Sequence, residues 1–591
     1  MNRCLAVNFI AIVIGLMLFA NTAAADVTVE VTGVNDVLRD NIRGMLSIVS
    51  YSETQEDLTE AEIRRLHARA QSEIRQALMP YGYYQPLIKT TLTRQPDTWL
   101  AEYAINPGKP VRVRSVDIQI TGPGAQLAGY QKILSSSDEQ ALLAENQVLH
   151  HADYDTLKAR LQTIARQHGY LDAHYTQHDL RVNPEQEWAE IVLHFTTGPQ
   201  YYFGPVTFEQ NTMEENFLRE YLTFQPGEPF DIEELLRLQY ALVDSDYFSV
   251  VQVEPLFEET KDQAEDRQIP IVVHLEPNEK HRYSVGLGYG TDTGPRISLS
   301  WDNRRVNQRG HHSSIDMQFS EVEDSFLARY FVPLGEPQRE QIIYSFGATR
   351  AELGDTFSDK RHVGIARATV EGQWQQTAYL RYEQERNVIS GETTETDLVI
   401  PGIVWSRVEA DDPVIPEFGW RFLFELRGGS ETLGSDSSFL QGRVQAEWVV
   451  ALNEQLRFLT RAEVGATHVG STSELPLSQR FFTGGGQSVR GFAYNSLGPV
   501  NEEGDVVGGR YLAVASVELE RRFKGDWNKW RLAVFVDAGN AMNNWDVEPE
   551  VAAGFGVRWE TPVGMLRIDL AQPLTEPGAS WQLHLSLGPD L

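Results

Sequence analysis

The chain has 591 residues, 41% of them hydrophobic and 23% charged, which is a folded composition too long for one ordinary domain. Its formal net charge of −32 excludes a broad electrostatic attraction to nucleic acid or anionic lipid, since both need a basic surface. The single cysteine is Cys4, so no disulfide or thiolate metal site is expected after the leading segment.

That leading segment carries Arg3, then an apolar run from Phe9 to Ala20, then Ala23, Ala24 and Ala25 before Asp26. The order is that of a secretory signal over residues 1–25, with cleavage expected between Ala25 and Asp26. Cys4 precedes the apolar run, so a lipid anchor at the cleavage point is not expected. After Ala25 no uninterrupted apolar run reaches the ~18 residues that a membrane-crossing helix requires.

Three segments before residue 280 then repeat one pattern, strand, helix, helix, strand, strand, at a period of roughly 80 residues, the signature of repeated modules. In the first, Val27 to Val31 alternates as a strand, Leu58 to Met79 is helical, Gly82-Tyr83 breaks it, and strands Gln85 to Thr93 and Trp99 to Ile105 follow. The second has Val113 to Ile120, an amphipathic helix from Tyr154 to His168, a break at Gly169-Tyr170 and a closing strand Trp188 to Phe195. The third has Val206 to Phe208, a helix Asp231 to Val243, the break Asp246-Tyr247-Phe248 and Ile269 to Leu275. Glycine at Gly82 and Gly169 suits the left-handed end of a helix, whereas the third module uses a polar turn. Short punctuation recurs at Pro107-Gly108-Lys109-Pro110, Thr197-Gly198-Pro199 and Glu276-Pro277-Asn278.

From Tyr283 onward the helical pattern gives way to two-residue alternation broken by polar turns. Trp581, Leu583, Leu585 and Leu587 share one face, with Gln582, His584, Ser586 and Gly588 on the other. Leu566, Ile568 and Leu570 lie opposite Arg567 and Asp569, and Leu532, Val534 and Val536 lie opposite Arg531 and Asp537. Apolar outside and charged inside is the code of a membrane barrel with a wet lumen, and at roughly 19 residues per strand and connection this length gives about 16 strands. The first strand, Tyr283 to Gly290, sets Gly286, Gly288 and Gly290 on one face, which weakens the seam it must form with the last strand. Val285 on the first strand and Leu583, Leu585 and Leu587 on the last mark that seam.

Between two such strands lies RFFTGGGQSVRGF, Arg480 to Phe492, a glycine-rich loop bearing Arg490 between Val489 and Gly491. A guanidinium in this setting requires carboxylate partners, which must face the lumen. Ala515, Val517 and Leu519 form an outward face, so Ser516, Glu518 and Glu520 point inward, and Asp537 is inward by the same rule. Glu518 and Asp537 are the expected partners.

No enzyme site, metal site or cofactor is expected. His150-His151 and His311-His312 lack the helical glutamate of zinc-protease spacing, and Gly484-Gly485-Gly486 lacks the lysine and hydroxyl of a phosphate loop.

Val489-Arg490-Gly491-Phe492 resembles the VRGF loop tip of the Omp85 superfamily, and Phe535-Val536-Asp537-Ala538-Gly539 resembles its FxDxG strand motif. Gly554-Phe555-Gly556-Val557-Arg558 and Thr561-Pro562-Val563-Gly564 fit the penultimate hairpin of that family. The resemblance covers the mature chain and implies a fold of three α+β periplasmic POTRA repeats followed by an antiparallel transmembrane β-barrel. The implied boundaries are 26–108, 109–198 and 199–277 for the repeats and 278–591 for the barrel. Three repeats and the ending Gly588-Pro589-Asp590-Leu591 are most similar to the TamA-type subfamily. BamA-type members carry five repeats, and two-partner secretion transporters carry two behind a plug helix, for which the start of the first strand near the signal leaves no room. Leu591 departs from the terminal phenylalanine frequent in such barrels.

The resemblance implies a Gram-negative outer membrane and a loop folded back into the lumen and locked there through Val489, Arg490, Gly491 and Phe492. It also implies insertion of unfolded outer-membrane proteins, autotransporters among them, through the seam. The partners implied are a TamB-like, inner-membrane-anchored periplasmic protein, the substrate chains and outer-membrane lipid. A two-partner secretion transporter and a passive porin are the competing readings.

Overall fold

The computed structural model describes residues 26–588 except 55–57, 97, 136–141, 258–266, 292, 354–355, 390–391, 563 and 577. The expected signal with Ala25, the motif residue Val563 and the terminal Leu591 lie outside the described residues, while Asp26 opens the first strand.

The chain forms two compact units. One runs to Pro205 and takes in Pro226–Glu233 and Leu256–Pro270; the other holds Val206–Gln225, Glu234–Pro255 and Ile271–Leu591.

Each repeat is a three-stranded sheet in which the last strand lies in the middle. In the first repeat, strand Asp26–Thr32 pairs parallel with Thr98–Asn106, which pairs antiparallel with Leu87–Arg94. Alternation buries Trp99, Ala101, Tyr103 and Ile105 against the helix Glu60–Leu78, whose Ile63, Leu66, Ala70 and Ile74 recur at helical spacing. Thr59 and Glu62 form a capping box at its start. This repeat carries three helices where the repeated pattern gives two, because Asp36–Met45 and Ser47–Thr54 break apart at Leu46.

The second repeat has the same order, with Arg112–Thr121 parallel to Trp188–Thr196 and His174–Asn183 antiparallel to it. The third sheet runs Tyr202–Glu209, Gln268–Pro277, Phe248–Pro255. The turn after each long helix is left-handed: Gly82 (φ 85°), Gly169 (φ 75°) and, in the third repeat, Asp246 (φ 61°), a short polar residue that tolerates the conformation.

From His281 a single antiparallel sheet of sixteen strands follows, each paired with the next. The first strand is His281–Gly290, the seventh Trp374–Ile389, the eleventh Leu456–Val469 and the twelfth Tyr511–Arg522. The thirteenth is Trp530–Met542, the fourteenth Glu550–Thr561, the fifteenth Gly564–Pro573 and the sixteenth Gln582–Gly588. Leu532, Val534, Val536, Val517 and Leu519 are exposed outward, while Ser516, Glu518, Glu520, Arg531 and Asp537 are buried inward.

The first and last strands face each other across the seam. The two approach with Cα atoms within 8 Å, yet no hydrogen-bonded ladder joins them among the described residues. Val285 and Leu287 are consequently 72% and 79% exposed, against 50% for Val534 on an internal strand. Gly286, Gly288 and Gly290 leave the second half of the strand's inner face without side chains to pack, which weakens it.

Candidate functional site

The connection between the eleventh and twelfth strands, residues 470–510, turns into the barrel rather than away from it. Its entry is fixed on the seventh strand. The Ser478 N–H donates to Glu385 at 3.1 Å, and the Gln479 amide donates to Glu383 at 2.7 Å. Glu383 and Glu385 are buried, and nothing in the local alternation distinguishes them from other inward carboxylates.

Further on, Val489 and Phe492 pack with Phe481, Leu497, Leu512, Val514, Ala541 and Ala552 in an apolar cluster. The two residues between them are held by polar contacts. Arg490 is 5% exposed and its guanidinium meets Asp537 along one edge, Nε to Oδ2 at 2.7 Å and Nη2 to Oδ1 at 2.9 Å. Its backbone N–H donates to the same Oδ2 at 3.0 Å. Nη1 donates to Glu518 at 2.6 Å and to Asp569 at 3.3 Å, and Nη2 donates to Ser516 Oγ at 3.2 Å. The guanidinium carbon sits 3.4 Å from the Phe535 ring centroid, so a cation–π contact covers its flat face.

Gly491 adopts φ 94°, and a Cβ there would stand 3.1 Å from the Ala552 Cβ and 3.3 Å from the Pro573 nitrogen. Glycine is therefore demanded by both backbone conformation and space.

The carboxylates have a second cation. Arg558 donates to Glu518 at 2.7 and 3.0 Å and pairs with Asp569 at 2.7 Å. Toward the turn at 522–530, Arg457 grips Glu520 at 2.7 and 3.0 Å. Three carboxylates around two guanidiniums in a buried setting fix positions strongly, because removing any one charge strands its partners.

Both expected partners of Arg490 are thus in contact with it. Sequence reasoning placed Asp569 on the inward face but did not bring it to Arg490, and it missed Ser516 and Phe535 as contacts and Arg558 as the companion cation. Alternation gave the face of each; only register gives the neighbour, with Ser516 opposite Asp537 and Glu518 opposite Phe535.

At the seam, Val285, Leu583 and Leu587 are exposed and Leu585 is half-buried, while Gly286 and Gly288 stand opposite Ser298 and Arg296 of the second strand, Gly294–Asn303. The loop tip Val489, Arg490, Gly491 and Phe492 lies on the same side of the barrel as the last strand of the seam, since Arg490 meets Asp569 on the fifteenth strand, which pairs with the sixteenth.

The sequence matches the Omp85 superfamily domain over residues 279–589, the POTRA domain TamA domain 1 over 28–107 and the surface antigen variable number repeat over 201–278. It is 26% identical over 432 residues to the outer membrane protein assembly factor BamA of Nitratidesulfovibrio vulgaris, covering 69% of this chain and 53% of that protein. To BamA of Neisseria meningitidis serogroup B it is 23% identical over 457 residues, 66% of this chain and 56% of that one. The chain spans about half the length of the curated relatives it matches. The crystal structure of Haemophilus ducreyi BamA lacking POTRA domains 1–3 shares the fold, with a TM-score of 0.68 at 16% identity over 81% of this chain and 99% of that one. The chain belongs to the Omp85 superfamily, as an outer-membrane β-barrel of sixteen strands that follows three periplasmic POTRA domains.

Proposed function

We propose that the protein is a non-enzymatic assembly factor that inserts outer-membrane β-barrel proteins through its seam. The carrying observation is the first strand, whose free edge has no ladder partner among the described residues. An unpaired strand edge accepts an incoming strand, and substrate strands would add there in alternation with the sixteenth. Arg490 serves as a latch that keeps the lumenal loop seated while the seam opens.

The finer reading is a TamA-type factor acting on autotransporter-type substrates with a TamB-like partner. It is supported by the match of residues 28–107 to a TamA-type first POTRA domain and by the three-repeat organisation. The POTRA sheet edges are the physical means of docking that partner. Retained binding of a TamB-like protein after removal of the first repeat would contradict a docking role for it.

The central test is a cysteine pair, Val285→Cys with Leu585→Cys, oxidised in the membrane. Closing the seam should abolish assembly of an autotransporter-type substrate and reduction should restore it. Undiminished assembly by the oxidised protein would overturn the reading.

A further inference from the structure

One contact links the loop tip directly to the last strand of the barrel. The Gly491 N–H donates to Nε2 of His584 at 2.9 Å, so the ring proton sits on Nδ1. His584 is buried on the inward face of the sixteenth strand, opposite Asp569 in the ladder with the fifteenth. A Cβ on Gly486 would stand 3.4 Å from Nδ1 of the same ring, so the imidazole is enclosed by two turns of the loop. Among the described residues no hydrogen bond of Arg490 reaches this strand directly: its carboxylate partners are on the twelfth, thirteenth and fifteenth strands.

Among the described residues the sixteenth strand is paired along one edge only. A strand with one ladder is held less firmly than its neighbours, and a side-chain contact that fixes it adds a constraint the backbone lacks. The Gly491 N–H is buried and needs an acceptor, so its bond to a rigid imidazole defines both the height of the loop tip and the position of the strand.

We infer that His584 is a positioning residue that ties the last strand to the loop tip, so that the seating of the loop and the geometry of the seam change together. This rests on the reading of the seam as the working edge. Loss of the tether releases the last strand from its place beside the first, and unseating of the loop does the same through Gly491.

The test uses the purified full-length barrel without substrate, carrying Val285→Cys and Leu585→Cys, and measures the rate of disulfide formation across the seam. His584→Ala should slow it by about fivefold or more, the order expected for one lost buried hydrogen bond. His584→Gln, whose amide oxygen accepts the same N–H, should return most of the rate. A folded His584→Ala barrel that crosslinks at the wild-type rate overturns the inference. Should that variant fail to fold, Arg490→Ala supplies the measurement: a slowed crosslink supports coupling of loop and seam, and an unchanged one overturns it. Because no substrate is present, failure of the assembly reading leaves this rate untouched.

Discussion

Arg490 and Asp537 share a two-point contact, Nε to Oδ2 at 2.7 Å and Nη2 to Oδ1 at 2.9 Å, inside a barrel wall where Arg490 retains 5% exposure. The bond fixes the orientation of a long loop that has no strand of its own to hold it. Lysine offers a point charge without the fork, so it cannot reproduce the geometry.

Arg490→Ala should cost about 3–5 kcal/mol of loop seating, the range for removing one partner of a buried pair. The strand ladders do not use this side chain, so the barrel should still insert. Limited proteolysis of the folded protein should then cut within residues 470–510, and Arg490→Lys should fall between wild type and alanine. Combining Arg490→Ala with Asp537→Ala should cost less than the two single effects added, because the second removes the carboxylate stranded by the first.

Gly491→Ala tests the backbone half of the same site. The left-handed φ of 94° and the Ala552 Cβ at 3.1 Å oppose a methyl group together. A loss of about 1–3 kcal/mol is expected from the conformation alone. Heat-modifiable migration of the barrel should persist while loop protection from protease falls; full protection would show that the tip does not need this conformation.

The first repeat should respond to acid through His67. Its Nδ1 lies 3.1 Å from the Tyr103 hydroxyl, and burial holds the imidazole below the ordinary histidine range. The unfolded chain takes up the proton near the ordinary value of about 6.5 while the folded repeat resists it. Stability therefore stays full above that pH and is lost as pH falls from it toward the lowered folded value. The protection factors of the Glu60–Leu78 amides in the intact chain, corrected for the intrinsic pH dependence of exchange, should fall as pH drops below about 6.5, and His67→Gln should flatten the change.

Gly310 tests how the third repeat's short helix, Glu215–Arg219, meets the turn before the third barrel strand, His312–Ser320. The Phe217 ring occupies the space where a Gly310 Cβ would stand, only 2.1 Å from Cζ, and the Tyr247 hydroxyl donates to the Gly310 carbonyl. Gly310→Ala should displace Phe217 and raise exchange of Glu215–Arg219 severalfold. Unchanged exchange would show that the ring moves aside freely.

The repeats and the two faces of the barrel wall were legible because both rest on local periods. Ile63, Leu66, Ala70 and Ile74 can share a helix face only at helical spacing, and Val517 and Leu519 must oppose Ser516 and Glu518 in any strand. The extra helix break at Leu46 was not legible, since one extended residue between two helical runs interrupts no distinct period.

Arg490 illustrates the limit. By itself the sequence determined that Arg490 sits in a glycine-rich loop and that Glu518 and Asp537 face the lumen. Only the tertiary structure decided that Asp569, Phe535 and His584 meet the same tip, that Glu383 and Glu385 hold the loop's entry, and that the first and last strands lie side by side without a ladder among the described residues. The reason is physical: a period of two fixes which way a side chain points, whereas its neighbours depend on register and loop path across hundreds of residues, which no local spacing records.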